Sequence, residues 1–497
     1  MGRDKAFSGL GGLLLGLILA QVLATIHVYL SNAHLHEMVT VISEAGYLAV
    51  PNQHAALHLK DPGPAIWGGF FFTVSLGAGL SVLSFTLARL WDQILGRNKI
   101  WLILFLLCWL GFLVTLNWRG ISPMVSLYFL LIPTAVFWLS VRRSARQLDQ
   151  NYRRNRIVFL LPVAALVVLW SFQLDDYLFI NIRDSLLLSN PVGKRINDVY
   201  YRYTLYPAEV FKSLDQKLLK TVNLTAIQEN PLRRRMENVL LRYDYLPLGK
   251  EATVDLTVKK NDGSLAFMTR NRTILQITSR EFFARPAEVL RQISAKSDCY
   301  LLFRQATFWS LLIGFPILLY LFIFSILRGL TGLFIGSDPS VFLAAVLCFF
   351  IGLALLFPVM KNKGMAREVK DVSEALEAKH WEKRVAALKI IKENRLEIND
   401  FPAYRQMLSS PKTVERYWLG QALGVSRRAE TYQDLLSLWD DPSLNVVCMV
   451  YEALGWRGER RVTRQIIERI NKSDDWYVQG YAYRALRKLG WKQRRSS

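Results

Sequence analysis

The chain is poor in the residues and motifs that name a reaction. Four cysteines, Cys108, Cys299, Cys348 and Cys448, are scattered through 497 residues without a CxxC pair. That excludes a disulfide framework, a zinc knuckle and a CxxCH haem attachment. Cys108 and Cys348 lie in apolar runs, where a thiol behaves as a small hydrophobe. No G-x-x-x-x-G-K-[ST], G-x-S-x-G or H-E-x-x-H occurs, so nucleotide hydrolysis, serine hydrolysis and zincin chemistry lack their residues. Acids are scarce too: 40 Asp and Glu face 62 Lys and Arg, a formal net charge of +22. The cations form no single block or face, so nucleic acid is not an expected ligand. Anionic lipid headgroups or an acidic protein are the expected counterparts.

What is abundant is apolar sequence. Hydrophobic residues make up 52% of a chain that is nonetheless strongly basic, a pairing that suits a membrane protein with basic loops and not a soluble enzyme. Seven apolar runs approach the length that crosses a hydrocarbon layer: Phe7 to Leu30, Ile66 to about Leu90, Ile100 to Leu116, Met124 to Leu139, Ile157 to Phe172, Phe308 to about Leu327, and Val341 to Val359. Arg3 and Lys5 precede the first, which is too long for a cleaved signal peptide and reads as an anchor. Its Gly12, Gly16, Ala20 and Ala24 recur every four residues, a small-residue face that predicts packing inside a bundle. Trp109, Trp118 and Trp138 fall near span ends, where indoles settle.

Sidedness comes from Val141 to Arg156, which carries Arg142, Arg143, Arg146, Arg153, Arg154 and Arg156 against Asp149 alone. Short arginine-dense loops stay cytoplasmic. Counting spans from that loop puts the N-terminus in the cytoplasm and loop 31–65, residues 173–305 and the C-terminal region outside it. Lys361, Lys363 and Arg367 pull the C-terminal region the other way, but less strongly. The expected setting is a bacterial inner membrane.

The expected fold class is therefore a polytopic α-helical membrane protein with an inserted α+β domain and a C-terminal α-solenoid. Its divisions are a five-helix region (1–172), the insert (173–305), a two-helix hairpin (306–360) and the solenoid (366–497). Within the insert, Ala252 to Lys259 alternates, Asn261-Asp262-Gly263 supplies a turn, and Ser264 to Ile277 resumes extended character. Ser279 is placed as a cap, Pro286 to Ile293 as a helix, and Ser340 as the cap of the last span.

Beyond Met365 the chain repeats. Ala387-Leu388, Ala422-Leu423, Ala453-Leu454 and Ala485-Leu486 recur at about 31 to 35 residues, a solenoid period. ERYWLGQALG (Glu415 to Gly424), NVVCMVYEALG (Asn445 to Gly455) and YVQGYAYRALRKLG (Tyr477 to Gly490) read as helices ending at glycine. Asp440-Asp441 and Asp474-Asp475 sit in equivalent turns, where Asp can cap the next helix. This DD…ALG pattern resembles HEAT-like repeats, over roughly the last 125 residues; residues 1–365 resemble no family. The resemblance implies antiparallel helix pairs that present a surface to a protein partner. Arg416, Arg457, Arg460 and Arg484 are taken as surface positions that would meet an acidic one.

One cluster suggests chemistry. His27, His34, His36, His54 and His58 are five of the six histidines. His34-x-His36 and His54-x-x-x-His58, with Glu37 or Glu44 nearby, have spacings that could converge on zinc, iron, copper or a haem. A bis-histidine haem inside the bundle would need histidines on facing spans, and only the first span has one. The spans are almost free of charge; Asp175-Asp176 lies just past the fifth, and no broken-helix signature of a transporter is evident. The expected function is a membrane-anchored scaffold or assembly subunit, leaning away from catalysis. The rivals are a membrane enzyme or redox subunit using the histidines and, less favoured, a transporter.

Overall fold

In the computed structural model residues 10–144, 152–249, 253–261 and 263–495 are described, with side chains except at 143–144, 152–160 and 337–338. Arg3, Lys5 and Arg146 lie outside that set, as do the side chains of Arg143, Arg153, Arg154 and Arg156. Arg142 represents the basic link: its guanidinium lies 3.5 Å from the ring centroid of Trp138, at the end of its helix.

The first helix, α1, runs Leu10–Glu44, well past the expected span. Residues 31–44 hold neither Gly nor Pro, so nothing stops it before Gly46, whose φ of 79° ends it in the left-handed region. The expected loop 31–65 is thus helical in its first part. Short α2 (Gln53–Leu57) follows, then α3 (Pro62–Gln93), α4 (Lys99–Asn117), α5 (Pro123–Ser144) and α6 (Tyr152–Ser171). Among the described residues six helices, these less α2 and α6 plus two introduced below, are long and apolar enough to cross a membrane. The expected seventh run coincides with α6, a helix of 20 residues whose side chains are described over the apolar part Leu161–Ser171. Its first turn is Tyr152-Arg153-Arg154-Asn155-Arg156.

Small residues set the packing of the bundle. A Cβ at Gly16 would fall 2.2 Å from Ser81 Oγ, and one at Gly77 would fall 2.4 Å from Ala20 Cβ. The Gly12-Gly16-Ala20-Ala24 face of α1 is buried against α3 and α5. A π-turn at Thr73–Gly77 turns α3 so that Gly77 meets this face.

The insert contains α7 (Leu178–Ile182) with a π-turn at Arg183–Leu187, α8 (Pro191–Tyr203) and α9 (Leu205–Val210). A five-stranded sheet follows: β1 (Lys220–Asn223), β2 (Tyr245–Leu248), β3 (Leu256–Asn261), β4 (Ser264–Thr269) and β5 (Arg272–Thr278), in the order β2-β1-β3-β4-β5. β1 is parallel to β2 and β3, with α10 (Asn230–Leu241) crossing between β1 and β2; β3, β4 and β5 are antiparallel. The single extended run expected over 264–277 is two strands. Arg270 and Asn271, at φ 49° and 62°, form the tight turn between them. Thr278, not Ser279, caps α11 (Ser279–Ala284), and α12 runs Pro286–Ser297.

Two long helices come next, α13 (Leu301–Thr331) and α14 (Ser337–Arg367). Ser340 lies inside α14, whose N-cap is Gly336, because Pro339 fits a first helical turn as readily as a loop. A Cβ at Gly314 of α13 would fall 2.4 Å from Gly79 Cα, so α13 crosses α3 glycine to glycine.

The C-terminal region is a stack of helices: α15 (Val372–Glu377), α16 (Trp381–Asn394), α17 (Thr413–Val425), α18 (Ala429–Ser437), α19 (Leu444–Arg457), α20 (Thr463–Lys472) and α21 (Trp476–Lys488). The helices α17, α19 and α21 pack side by side as an inner layer, with α18 and α20 outside. Gly424 and Gly455 do not end their helices. Each lies within the last turn, where a Cβ would fall 2.8 Å from Ala453 and 3.0 Å from Lys488 respectively. Of the paired acids, Asp475 caps α21 through Val478 N at 3.0 Å, while Asp441 accepts Ser443 N at 2.8 Å and turns its charge to an arginine.

The core of this stack extends beyond its own helices. One apolar core joins its helices to Val39, Ile42, Tyr47 and Val50 after the bundle and to Leu246 and Leu248 of β2.

Candidate partner-binding surface

The inner layer of the solenoid is closed by the chain itself. Every residue of α17 from Thr413 to Gly424 is buried. From it, Trp418 Nε1 donates to Asp184 Oδ2 at 2.8 Å. Asp184 is wholly buried, and Arg183 (2.7 Å) and Lys389 (3.0 Å) complete its shell. Arg183 also lies 4.0 Å over the Tyr417 ring. On α19, Asn445 takes a 2.6 Å hydrogen bond from Asn197. On α21, Tyr477 packs 4.6 Å from Tyr201, and Tyr483 OH donates to Asp244 Oδ1 at 2.6 Å. Burial raises the Asp244 carboxyl above the ordinary value, against the pull of Tyr483 and Arg487.

The segment after α1 closes the far end. The Asn52 amide reaches the carbonyls of Ile470 (2.7 Å), Asn471 (3.1 Å) and Ser473 (3.0 Å), while its backbone N–H donates to Gln479 Oε1 at 2.8 Å. Gln493 pairs with both backbone groups of Leu48. The last strand of the sheet edge is covered as well: Arg495 donates to Pro247 O on β2 at 3.1 Å.

Of the four arginines expected on the surface, two are internal. Arg416 makes a two-pronged pair with Asp441 (2.5 and 3.1 Å), from one repeat to the next. Arg457 donates to Leu423 O, Thr431 Oγ1 and Arg428 O and pairs with Glu459 at 3.1 Å. Both are buried because each guanidinium fills the seam between stacked helix pairs, satisfying carbonyls that stacking would otherwise strand. Arg460 and Arg484 are exposed, Arg484 lying 5.5 Å over Tyr481.

The outer helices are not covered in this way, and the turns that lead from the inner to the outer helices hold a cleft of about 550 Å³ lined by Arg427, Arg457, Arg460 and Arg461 around Glu459. Glu459 is already taken by Arg457 (3.1 Å) and Arg461 (2.6 Å). Arg461 also lies 4.0 Å over Tyr432. Arg427 spends one donor on Arg457 O at 3.1 Å. The cleft keeps an excess of guanidinium, which suits a carboxylate-bearing partner.

The histidines do not converge. His27 is buried in the bundle, edge-on to Phe211 at 5.0 Å. His34 and His54 are exposed. His36 donates through Nδ1 to Ala56 O at 3.0 Å, and His58 donates to Asp61 Oδ2 at 3.1 Å. Among the described residues no three His, Cys, Asp or Glu side chains gather where a metal ion could sit. Asp175 pairs with Lys363 at 2.7 Å. The closing residues, Asp184, Asn52 and Asp244, carry no sequence signature; the one hint is the adjacent Arg183-Asp184 pair inside the largely apolar LFINIRDSLLL.

Residues 401–487 match the family of HEAT repeats. Such repeats suggest a protein-interaction scaffold in general. No curated protein and no solved structure matches the chain.

Proposed function

We propose that this chain is an integral membrane scaffold that binds an acidic protein partner on the outer face of its solenoid. The carrying observation is the closure of the inner helices against the insert and the post-α1 segment. It leaves the arginine-lined cleft and the outer helices as the free surface.

Membrane anchoring is supported by exposed apolar side chains that water would not tolerate. On α4, Ile103, Leu107, Leu110 and Val114 are each between 55 and 60% exposed. Sidedness is supported by connectivity. If α6 crosses as well, its 20 residues reaching about 30 Å, the segments 45–61 and 118–122, the insert and the solenoid all fall on one side. Those are the segments that touch one another: Asn52 with Ser473, Arg119 with Ala295, Trp418 with Asp184. The arginine-dense link falls on the other side, which the positive-inside rule makes cytoplasmic. Lys361 and Lys363, which pulled against this, are paired with Glu382 and Asp175 and so are weak votes. The reading places the solenoid outside the cytoplasm of a bacterial cell.

A photo-crosslinking residue at Gln433 or Gln465, both exposed on the outer helices, tests it in cells. A discrete crosslinked species that disappears in an Arg427→Glu/Arg460→Glu/Arg461→Glu variant is expected. A species that survives the charge reversal, or that appears from inner-layer positions instead, overturns the reading.

A further inference from the structure

The junction between the bundle and the insert has a second cationic site, separate in its lining residues from the solenoid cleft. Two adjoining clefts, about 350 and 400 Å³, share Trp118 and Arg119 just beyond the end of α4. Their linings differ in kind. The first is floored by Leu116, Leu301 and Leu302, from the ends of α4 and α13. The second gathers Arg119 with Arg272 of β5 and Lys296 of α12.

The charges are placed and unspent. Arg119 is held by a 3.2 Å hydrogen bond from Nη1 to Ala295 O. Among the described residues no carboxylate pairs with Arg119, Arg272 or Lys296. The acid in the first cleft, Asp298, is fully engaged by Arg304 through contacts of 3.0 and 2.5 Å. Trp118 stands 78% exposed at the boundary between the two linings, where an indole favours the level of lipid headgroups.

We propose that this junction binds an anionic glycerophospholipid. The phosphate sits among Arg119, Arg272 and Lys296, the glycerol backbone lies against Trp118, and an acyl chain follows Leu116, Leu301 and Leu302 into the bilayer. An apolar slot opening beside a three-cation cup is the shape of that amphiphile; a free phosphate has no use for the slot. Each basic side chain near a headgroup is worth about a factor of five in lipid affinity, so loss of all three costs roughly a hundredfold. The site ties the insert to the bilayer surface and fixes its height above it. It rests on the membrane reading proposed above.

The test is native mass spectrometry of the full chain in mild detergent, titrated with phosphatidylglycerol, phosphatidylcholine or inorganic phosphate. Expected is a retained phosphatidylglycerol adduct that phosphatidylcholine does not form and inorganic phosphate does not displace. Arg272→Gln/Lys296→Gln, which spares the Arg119 to Ala295 contact, weakens it at least tenfold with the unfolding temperature unchanged. Trp118→Ala weakens it further. Equal retention by wild type and variant, equal binding of the two lipids, or displacement by phosphate alone overturns the proposal. Alkaline carbonate extraction separates the two readings. A chain that stays in the membrane pellet but shows no preference fails only here, whereas one released by carbonate fails both.

Discussion

Asp184 shows how much a single buried charge can organise. Its oxygens receive Arg183, Lys389 and the Trp418 indole, so it joins the insert to two solenoid helices. Asp184→Asn keeps the shape and leaves two cations without their counter-charge, a loss of about 3–5 kcal/mol. Trp418→Phe removes one hydrogen bond to a charged group and costs about 1.5–3 kcal/mol. Thermal unfolding in detergent reads both; equal stability of Asp184→Asn and wild type would refute the role. Asp255 makes a pH-dependent contribution of a different kind. Burial pushes its carboxyl up, but Lys217 at 2.7 Å and the Thr221 N–H and hydroxyl carry it below the ordinary value. A depressed folded-state value means the contribution is present above the unfolded carboxyl's range, about pH 4, and is lost as pH falls further. Asp255→Asn should therefore lower stability at neutral pH and flatten its decline in acid, as followed by thermal melts between neutral and acid pH. None of this was readable in advance: Asp184 and Trp418 lie 234 positions apart. Arg416 and Arg457 looked like surface residues because helix periodicity says which face a residue occupies and not whether a neighbouring repeat covers that face.

At the scale of elements, periodicity carried the repeats and the long helices, and local chemistry carried less. The Ala-Leu-Gly recurrence placed the inner helices correctly; Gly490, at φ 83°, does end α21, but Gly424 and Gly455 serve a different purpose from a stop signal. Gly424 lets α19 approach to where a Cβ would fall 2.8 Å from Ala453 Cβ and 2.9 Å from its Cα. Gly420, one turn earlier, has Met449 Cβ at an ordinary 3.7 Å. The two should respond oppositely to the same change. Gly424→Ala forces two helices apart and costs about 1–3 kcal/mol. Gly420→Ala fits and gains up to about 1 kcal/mol of helix propensity. Melting temperatures of the two variants decide it, and a shared sign would contradict the packing assignment. The β4–β5 turn escaped the sequence because Arg270 occupies a left-handed position that glycine or asparagine usually takes. The continuation of α1 to Glu44 is hidden in the sequence because polarity after Leu30 marks the end of an apolar run and not of the helix. Spacing brings His36 beside the second histidine pair, but its Nδ1 is spent on Ala56 O at 3.0 Å and His58 on Asp61 at 3.1 Å, while His34 and His54 are exposed.

At the scale of the whole molecule, the described residues suggest one body whose parts are distant in sequence and joined by polar contacts over a shared core. The solenoid meets residues 47–59, β2 and the Arg183–Leu187 turn, while its covalent tie to the rest is the short link after α14. If the folded contacts dominate, that link is dispensable once the chain has folded. A specific protease site placed between Val369 and Lys370, where the flanking Glu368 and Lys370 are exposed, allows it to be cut after purification. The solenoid fragment should stay with the rest of the chain through gel filtration in mild detergent, because the Asn52 amide, the Asp184 cluster and the Tyr483 to Asp244 bond all lie across the cut. Adding Asn52→Ala and Asp184→Asn to the cleavable chain removes two of these anchors and leaves others, such as Asn197 with Asn445 and Leu48 with Gln493, so the fragment should then dissociate more readily on dilution. A fragment that leaves on cleavage of the otherwise unaltered chain would mean that the inner face is only loosely covered, and that a partner could reach it. The outer-face docking proposed above would then lose its footing.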